Sequence, residues 1–145
     1  MTIKTFDAYS KLSIMDIKHI TSFLYENSVK FRDSKSVIKK SLLYAIKEIS
    51  GLGGYVFTLE NQKEVLGVLV INKTGMNEYI PENILVYLVE NKKQKSIGAR
   101  EKLVNYAINY CKGDIALYIN KEDPELLWFE EKGFKSKNIE MRLTR

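Results

Sequence analysis

Residues 83–111 carry a strand pattern, a basic turn and a helix pattern in direct succession, and this succession limits the possible folds. The run NILVYLVE (83–90) is rich in the β-branched and aromatic residues that strands prefer. From residue 97 to residue 111, apolar residues recur at helical spacing on one face and polar residues occupy the other. The apolar face of such a helix packs on a sheet. We therefore expect an α/β (α+β) domain with helices on a central sheet.

The remaining segments continue this mixture of strand and helix patterns. SIMD, beginning at Ser13, has the form of a capping box, which marks the start of a helix. Two apolar runs, at 54–60 and 65–72, flank the polar turn NQKE and predict an antiparallel hairpin. The predicted order is β-α-α-β-β-β-α-β-α-β. Its elements are a weak strand at 3–6, helices from 13 and at 33–51, strands at 54–60, 65–72 and 83–90, a helix ending near 111, a strand at 114–120, a short helix at 124–133 and a final strand at 137–144.

The composition fits one compact domain, residues 1–145. Two prolines lie far apart, no long polar tract divides the chain, and 45% of the residues are apolar. No apolar run approaches the roughly 20 residues that span a bilayer, and the first residues lack a secretory pattern, so a cytoplasmic protein without a membrane partner is expected. Since Cys111 and His19 are the only residues of their types, we expect no disulfide, no metal site and no nucleophile–histidine pair.

The formal charge of +5 fits a nucleic-acid binder, a protein for an acidic small ligand, or simply a soluble domain. The basic residues are spread along the chain, with local density at 39–40 and 92–102 and no basic tail. Aromatic residues do not alternate with basic ones along one strand, as in surfaces that stack bases. We therefore expect no specific binding of nucleic acid, and a basic nucleic-acid-binding domain is the least favoured alternative.

The turn KKQKSIGAR (92–100) has the components of a pyrophosphate-binding site. The first amides of a helix lack intrahelical acceptors and carry partial positive charge, so they attract anions. Gly98 and Ala99 would let a phosphate approach the backbone, and the side chains around them offer donors. These donors are Lys93, Gln94, Lys95 and Arg100. A solvated basic turn explains the same residues, and the local pattern alone does not decide between the two.

The wider pattern resembles the GNAT superfamily, the acyl-CoA-dependent N-acyltransferases. In that family the turn reads R/Q-x-x-G-x-G/A, and a later helix ends in Y-x-x-x-G-F. Here the turn runs from Lys93 to Gly98 with Ala99 next, and residues 129–134 read FEEKGF. The resemblance covers most of the chain by element order, and its specific motifs cover about residues 82–134. It implies a GNAT-like, mixed and mostly antiparallel central sheet flanked by helices.

The resemblance also implies where acetyl-CoA, the cosubstrate, binds. Its pyrophosphate is expected at the amides of residues 95–99, and its pantetheine arm beside the backbone of residues 88–90, in the manner of an added strand. The acyl carbonyl is expected at an amide near Leu88, as in an oxyanion hole. The cofactor-binding residues implied in this way are Leu88, Val89, Glu90, Lys93, Gln94, Lys95, Ser96, Ile97, Gly98, Ala99, Arg100, Phe129 and Lys132.

Three residues depart from the family pattern. Ser96 replaces the first glycine of the turn, and Glu90 replaces a frequent proline. Phe129 stands where many members have the tyrosine that protonates the leaving thiolate, so water or another tyrosine, such as Tyr87 or Tyr118, must supply that proton. The changes at residues 96 and 129 favour an alternative function, a non-catalytic CoA-binding or interaction domain of the same fold.

A general base is needed because a protonated amine cannot attack a thioester. Glu82 lies at the start of the strand 83–90, where several protein-acetylating members carry a basic glutamate, and Glu78 is its nearby rival. A solvated carboxylate at the strand start, with a water chain as the base, is the alternative. The resemblance places the acceptor beside residues 25–34 and 75–82. The expected activity is acetyl transfer to a primary amine of a small molecule or protein, by a monomer or homodimer.

Overall fold

A five-stranded sheet runs through the centre of the protein, and helices cover both of its faces. The structure is a computed structural model that describes residues 1–28 and 33–145. The strands are β1 (Thr2–Phe6), β2 (Gly54–Asn61), β3 (Glu64–Lys73), β4 (Asn83–Glu90) and β5 (Ile115–Ala116). The helices are α1 (Ile14–Asn27), α2 (Lys35–Ala45), α3 (Ala99–Tyr110) and α4 (Leu126–Glu131).

The sheet confirms the predicted mixed and mostly antiparallel fold. Its strands lie in the order β1-β2-β3-β4-β5. Neighbours are antiparallel except β4 and β5, which are parallel, and α3 provides the crossover connection that a parallel pair requires. The predicted hairpin joins β2 to β3 through Gln62 and Lys63, whose φ values of 49° and 71° are both positive, as a two-residue type I′ turn requires.

Two apolar cores lie on opposite faces of the sheet. On one face, α1 and α2 bury side chains such as Leu24 and Leu42 against β2 and β3. On the other face, α3 and α4 bury Leu103 and Phe129 against the same strands. Because β3 is covered on both faces, VLGVLVIN is a continuous apolar run without polar alternation.

The helix starts follow the sequence more closely than the helix ends. Ser13 accepts from the amide of Asp16, and the Asp16 carboxylate accepts from the amide of Ser13, so the capping box of α1 is confirmed. The second helix ends at Ala45 and not near Gly51, as predicted. Lys47 takes the left-handed conformation, with φ of 59°, and the amides of Lys47 and Glu48 donate to carbonyls of the last turn. The sequence did not indicate this helix end, because a lysine occupies the left-handed position where glycine is usual.

The last third of the chain holds less regular structure than the sequence predicted. The strand expected at 114–120 is reduced to Ile115–Ala116, and the helix expected at 124–133 begins only at Leu126. The prediction of a strand at 137–144 is wrong, because these residues do not pair with any strand of the described sheet. Their alternating apolar side chains, Ile139, Met141 and Leu143, are mostly exposed. An apolar alternation forms a strand only where a neighbouring strand accepts its hydrogen bonds, and β5 is too short to offer one.

None of the helices in residues 1–28 and 33–145 combines the length and the apolar character needed to cross a membrane.

Candidate acyl-CoA site

Strand β4 has one long edge that the described strands leave open. On its other edge it pairs with β3 from Asn83 to Glu90. On the open side it pairs with β5 only at Asn83 and Ile84. The Asn83 side chain fixes this junction by donating to the carbonyl oxygens of Lys112 (2.7 Å) and Asp114 (3.2 Å). Beyond Ile84 the two strands part, and the edge from Leu85 to Glu90 lies free to accept an extended ligand.

A β-bulge interrupts β4 at the point where this open edge begins. Val70 lies opposite Tyr87 and Ile71 lies opposite Leu85, so Val86 has no counterpart on β3. A bulge leaves the extra residue outside the ladder and bends the strand. The bulge lies two residues before Leu88, the residue near which the resemblance implied an amide for the acyl carbonyl.

The turn after β4 presents backbone amides at the start of α3. Residues Lys95–Ile97 form a short 3-10 turn, and Gly98 follows in the left-handed conformation with φ of 73°. Gly98 is the N-cap residue of α3, so the helix has no side-chain acceptor for its first amides. A Cβ built on Gly98 would meet no atom within 4 Å, so the space above this residue is open. The turn thus has the geometry that anion binding needs.

Gly67 on β3 positions this turn, and no pattern in the sequence indicated this role. A Cβ on Gly67 would lie 2.8 Å from Leu103 Cδ1 and 3.0 Å from Ala99 Cβ, so its absence allows α3 to approach the sheet. Ala99 is 1% exposed. The small side chain of Ala99 therefore serves helix–sheet packing, and only its amide is directed to the turn.

The cations around the turn fall into two groups. Arg100 Nη1 binds Glu125 Oε2 at 2.7 Å, and its guanidinium lies 4.3 Å from the centroid of the Trp128 ring. Lys132 forms an ion pair with Glu101. Both side chains thus hold α3 against α4, so they are already engaged within the protein. Lys95 is exposed, which leaves it accessible to a ligand.

The other predicted donors tie the turn to neighbouring elements. The Gln94 side chain donates to Glu64, and the backbone amide of Lys93 donates to Asn91 Oδ1 at 3.0 Å. Lys93 itself is exposed. These bonds fix the backbone between β4 and the 3-10 turn. The exposed lysines at 93 and 95 are the predicted donors that keep a charged group available.

Glu90 places a carboxylate at the end of β4, close to this turn. Burial raises the pKa of Glu90, and the nearby charges of Arg100 and Lys95 act in the opposite direction. Ionised Glu90 opposes an incoming phosphate by charge repulsion. The residue that replaces the family's proline therefore weakens the positive field of the turn.

The segment FEEKGF forms the end of α4, and the hydrogen bonds of the helix cap explain the spacing of its two phenylalanines and its glycine. The amide of Phe134 donates to the carbonyl of Phe129 (3.1 Å), and the amide of Gly133 donates to the carbonyl of Glu130 (3.0 Å). Together with φ of 102° at Gly133, these bonds make a Schellman motif. The two phenyl rings meet edge to face at 5.6 Å. Phe129 is 7% exposed, so its ring is part of the core that carries α4.

The two candidate bases lie at the start of β4. A Cβ on Gly113 would lie 2.7 Å from Glu82 Oε2, which places the Glu82 carboxylate directly against Gly113. A hydrogen bond to Tyr55 raises the pKa of Lys73, and the charge of Glu82 adds to this effect, so Lys73 and Glu82 lie near one another. Glu78 is exposed in the preceding turn and has φ of 75°. Glu82 is thus the more enclosed of the pair.

Tyr87, one of the two tyrosines considered as proton donors to the thiolate, lies on the opposite face of the sheet from Phe129. Its hydroxyl donates to Asp33 Oδ2 at 2.6 Å, 54 residues earlier in the chain. Burial and this hydrogen bond raise the pKa of Tyr87 well above its usual value. Tyr118, the other tyrosine considered as a proton donor, is 70% exposed. Residues 29–32, within the stretch expected to face the acceptor, lie outside the described residues.

The structure places the predicted cofactor residues of β4 and the turn along one edge, and it adds two residues that the sequence did not indicate, the bulge residue Val86 and the packing glycine Gly67. Asp33 lies within the stretch 25–34 that was expected to face the acceptor, and its bond to Tyr87 is new. Among the described residues, no group of histidine, cysteine, aspartate and glutamate side chains could hold a metal ion.

No protein-family model matches the sequence, and no curated protein matches it. Solved structures match over nearly the whole chain. The possible acetyltransferase of Clostridium difficile 630 has a TM-score of 0.71 and 16% identity, with 100% of this chain and 98% of that chain covered. A transcriptional regulator from Bacillus halodurans C-125 has a TM-score of 0.69 and 19% identity, with 99% of both chains covered.

A GNAT-family acetyltransferase from Streptococcus pneumoniae TIGR4 is similar at a TM-score of 0.68 and 12% identity, with 99% of this chain and 98% of that chain covered. Identities this low establish the fold and no more. The open β4 edge, the glycine turn and the matching structures agree, and the chain therefore has the fold of the GNAT-family acetyltransferases.

Proposed function

We propose that the protein is an acetyl-CoA-dependent N-acetyltransferase that acts on a primary amine. The observation that carries this proposal is the open edge of β4, which begins at a bulge and ends at a glycine turn with uncapped amides. The open edge suits an extended arm that pairs with a strand, and the turn at its end suits a diphosphate. Acetyl-CoA has both parts in the same order.

Each surface suits one part of the cosubstrate. The backbone of residues 88–90 pairs with the amide groups of pantetheine. The amides of Ile97 and Gly98 already donate to the carbonyls of Gln94 and Lys95, both at 3.2 Å, so the pyrophosphate is received by the amide of Lys95 and by the first amides of α3, at Ala99 and Arg100. Lys93 and Lys95, both exposed, add positive charge. The backbone at the bulge, near Val86, donates to the thioester carbonyl and stabilises the oxyanion.

The reaction is a direct transfer. The amine nitrogen attacks the thioester carbon, its proton passes to Glu82 or to a water chain, and the C–S bond breaks to release CoA thiolate. Glu82 is the proposed base because it lies at the start of the same strand and is more enclosed than Glu78. Phe129 has no hydroxyl, so water protonates the thiolate.

Two measurements test this proposal in sequence. Acetyl-CoA and CoA should raise the melting temperature, since a ligand at 100 times its Kd stabilises the folded state by about 2.7 kcal/mol. A thiol-detecting assay with a panel of primary amines should then show amine-dependent release of CoA. If millimolar CoA produced no thermal shift, the cosubstrate assignment would be rejected.

One observation favours a second candidate, a CoA-binding domain without catalysis. Phe129 leaves the leaving group without the family's phenol, and its ring is buried within the core. For this candidate, CoA raises the melting temperature while no amine in the panel releases thiol. The same two measurements therefore separate the two functions.

A further inference from the structure

A cavity of about 280 Å³ lies between α2 and the bulged part of β4, on the sheet face opposite Phe129. Its lining includes the bulge residue Val86 and its neighbour Tyr87. The volume falls at the lower limit of the roughly 300 to 1,000 Å³ of usual small-molecule sites. The cavity therefore suits a small ligand and not a folded protein, and it reaches the strand residue where the acyl carbonyl is proposed to lie.

One end of this cavity carries a positioned negative charge. Asp33 lines the cavity, and one of its carboxylate oxygens accepts from the Tyr87 hydroxyl at 2.6 Å. That bond orients the carboxylate. Asp33 lines the same cavity as Val86, the strand residue beside which the thioester carbonyl is proposed to lie, so an ammonium group bound by Asp33 would share that cavity.

The other end carries a positive charge that no carboxylate in residues 1–28 and 33–145 neutralises. Lys40 lines the same cavity and makes no ion pair within these ranges. Lys40 lies on α2, whereas Asp33 comes directly before Ser34, the N-cap residue of that helix. Val37 and Ile49 supply apolar lining of the same cavity. The cavity therefore combines an anionic end, apolar walls and a cationic end.

We infer that this cavity binds the acceptor, with Asp33 holding the ammonium group and Lys40 selecting small amines that carry a carboxylate at their other end. Tyr87 acts as a positioning residue for Asp33. The inference rests on the proposed N-acetyltransferase function. It predicts that amino carboxylates with a short carbon chain are preferred and that diamines of the same length are rejected, because their second cation would meet Lys40.

The test uses three amines of matched length, 6-aminohexanoate, hexylamine and 1,6-diaminohexane. Their binding to the full-length protein saturated with CoA is measured by NMR titration, which requires no turnover. We expect 6-aminohexanoate to bind about tenfold or more tightly than 1,6-diaminohexane, with hexylamine between them. Equal affinities for all three, or tighter binding of the diamine, would overturn the inference.

Substitutions of single residues test which side chains of the cavity provide the selectivity. Lys40→Met should remove the preference for 6-aminohexanoate, whereas Lys39→Met, an exposed neighbour outside the cavity lining, should keep it. Asp33→Asn should weaken binding of all three amines about tenfold, and Tyr87→Phe should weaken it less, with CoA affinity unchanged in both. A Lys40→Met protein that keeps the wild-type preference contradicts the selectivity, and an Asp33→Asn protein with wild-type amine affinity contradicts the ammonium site.

Failure of this inference is distinguishable from failure of the proposed function. If the wild type binds no CoA, the proposed function is rejected. If it binds CoA and acetylates amines while the Asp33 and Lys40 variants keep wild-type KM values for all three, the acceptor cavity is elsewhere and the proposed function stands.

Discussion

The two parts of the proposed active site offer different chemical groups to their ligands. The cosubstrate edge, residues 85–90 with the turn 95–99, offers mainly backbone groups, and the neighbouring side chains of Arg100 and Lys132 are occupied in ion pairs. The acceptor cavity offers side chains, with Asp33 and Lys40 as its charges and Tyr87 as a support. In the proposed function, the cosubstrate thus meets the main chain, and the acceptor meets side chains.

This difference explains why departures at the cosubstrate edge are tolerable. A backbone amide binds a phosphate whatever residue carries it, so Glu90 alters the charge around the amides without removing them. A single substitution at Asp33 or Lys40 would change the acceptor instead. The predictions below probe this division, beginning with the largest expected effect.

Glu82→Gln would show whether catalysis at the cosubstrate edge also depends on one side chain. If Glu82 is the base, kcat/KM should fall about 10²- to 10⁴-fold while CoA affinity is kept, and the loss should shrink at high pH, where the amine is already deprotonated. Glu78→Gln is the matched control and should change kcat/KM little. Full activity of Glu82→Gln at neutral pH, measured by thiol release, would refute the base assignment.

Gly98→Asn should weaken CoA binding by about 100-fold, through loss of roughly 3 kcal/mol of charged hydrogen bonds between phosphate and amides. Asparagine tolerates the left-handed conformation of this N-cap residue, which a β-branched residue such as valine would not. Gly133→Asn is the control, because Gly133 also has positive φ and open space around it. Calorimetry that finds equal CoA affinity in both variants would place the pyrophosphate elsewhere.

Glu90→Gln should strengthen CoA binding, because it removes a negative charge beside the turn. One nearby charge is worth about 1 kcal/mol, or roughly fivefold in affinity. Since burial raises the pKa of Glu90, lowering the pH neutralises Glu90 earlier than an ordinary glutamate, and the advantage of the variant should disappear on acidification. Calorimetric titrations of both proteins between pH 4.5 and 8 check this. A constant affinity ratio across that range would show that the charge of Glu90 does not reach the phosphates.

Phe129→Tyr should have the smallest effect, between no change and a tenfold rise in turnover. A thiolate leaves acceptably without a general acid, so a phenol near the sulfur adds less than the usual general-acid factor. The ring keeps its edge-to-face contacts with Trp128 and Phe134. Rates of CoA release, compared at equal folded fraction, measure the effect. A loss of activity would mean that the phenyl ring itself shapes the site.

The sequence predicted the features that depend on neighbours along the chain. The capping box of Ser13 and Asp16, the hairpin 54–72 and the glycine turn at Gly98 are all local patterns, and the structure contains each of them. Schellman geometry at Gly133 belongs to the same class, since its bonds span only six residues.

The features that the sequence missed depend on contacts between distant residues. The bulge at Val86 is a mismatch between two strands, and Gly67 matters only because α3 packs on it. Asp33 and Tyr87 are 54 positions apart. The strand predicted at 137–144 had the right alternation and lacked a neighbouring strand. The family resemblance thus led to the proposed cosubstrate edge, whereas the proposed acceptor cavity required the tertiary structure.

Hydrogen exchange with and without acetyl-CoA tests the central claim most directly, because it reports on backbone amides one by one. If the main chain binds the cosubstrate, acetyl-CoA should slow exchange at residues 85–90 and 95–101, while amides of the unpaired segment 137–144 should be unaffected. Binding of acetyl-CoA that leaves exchange unchanged at both the β4 edge and the turn would contradict the account.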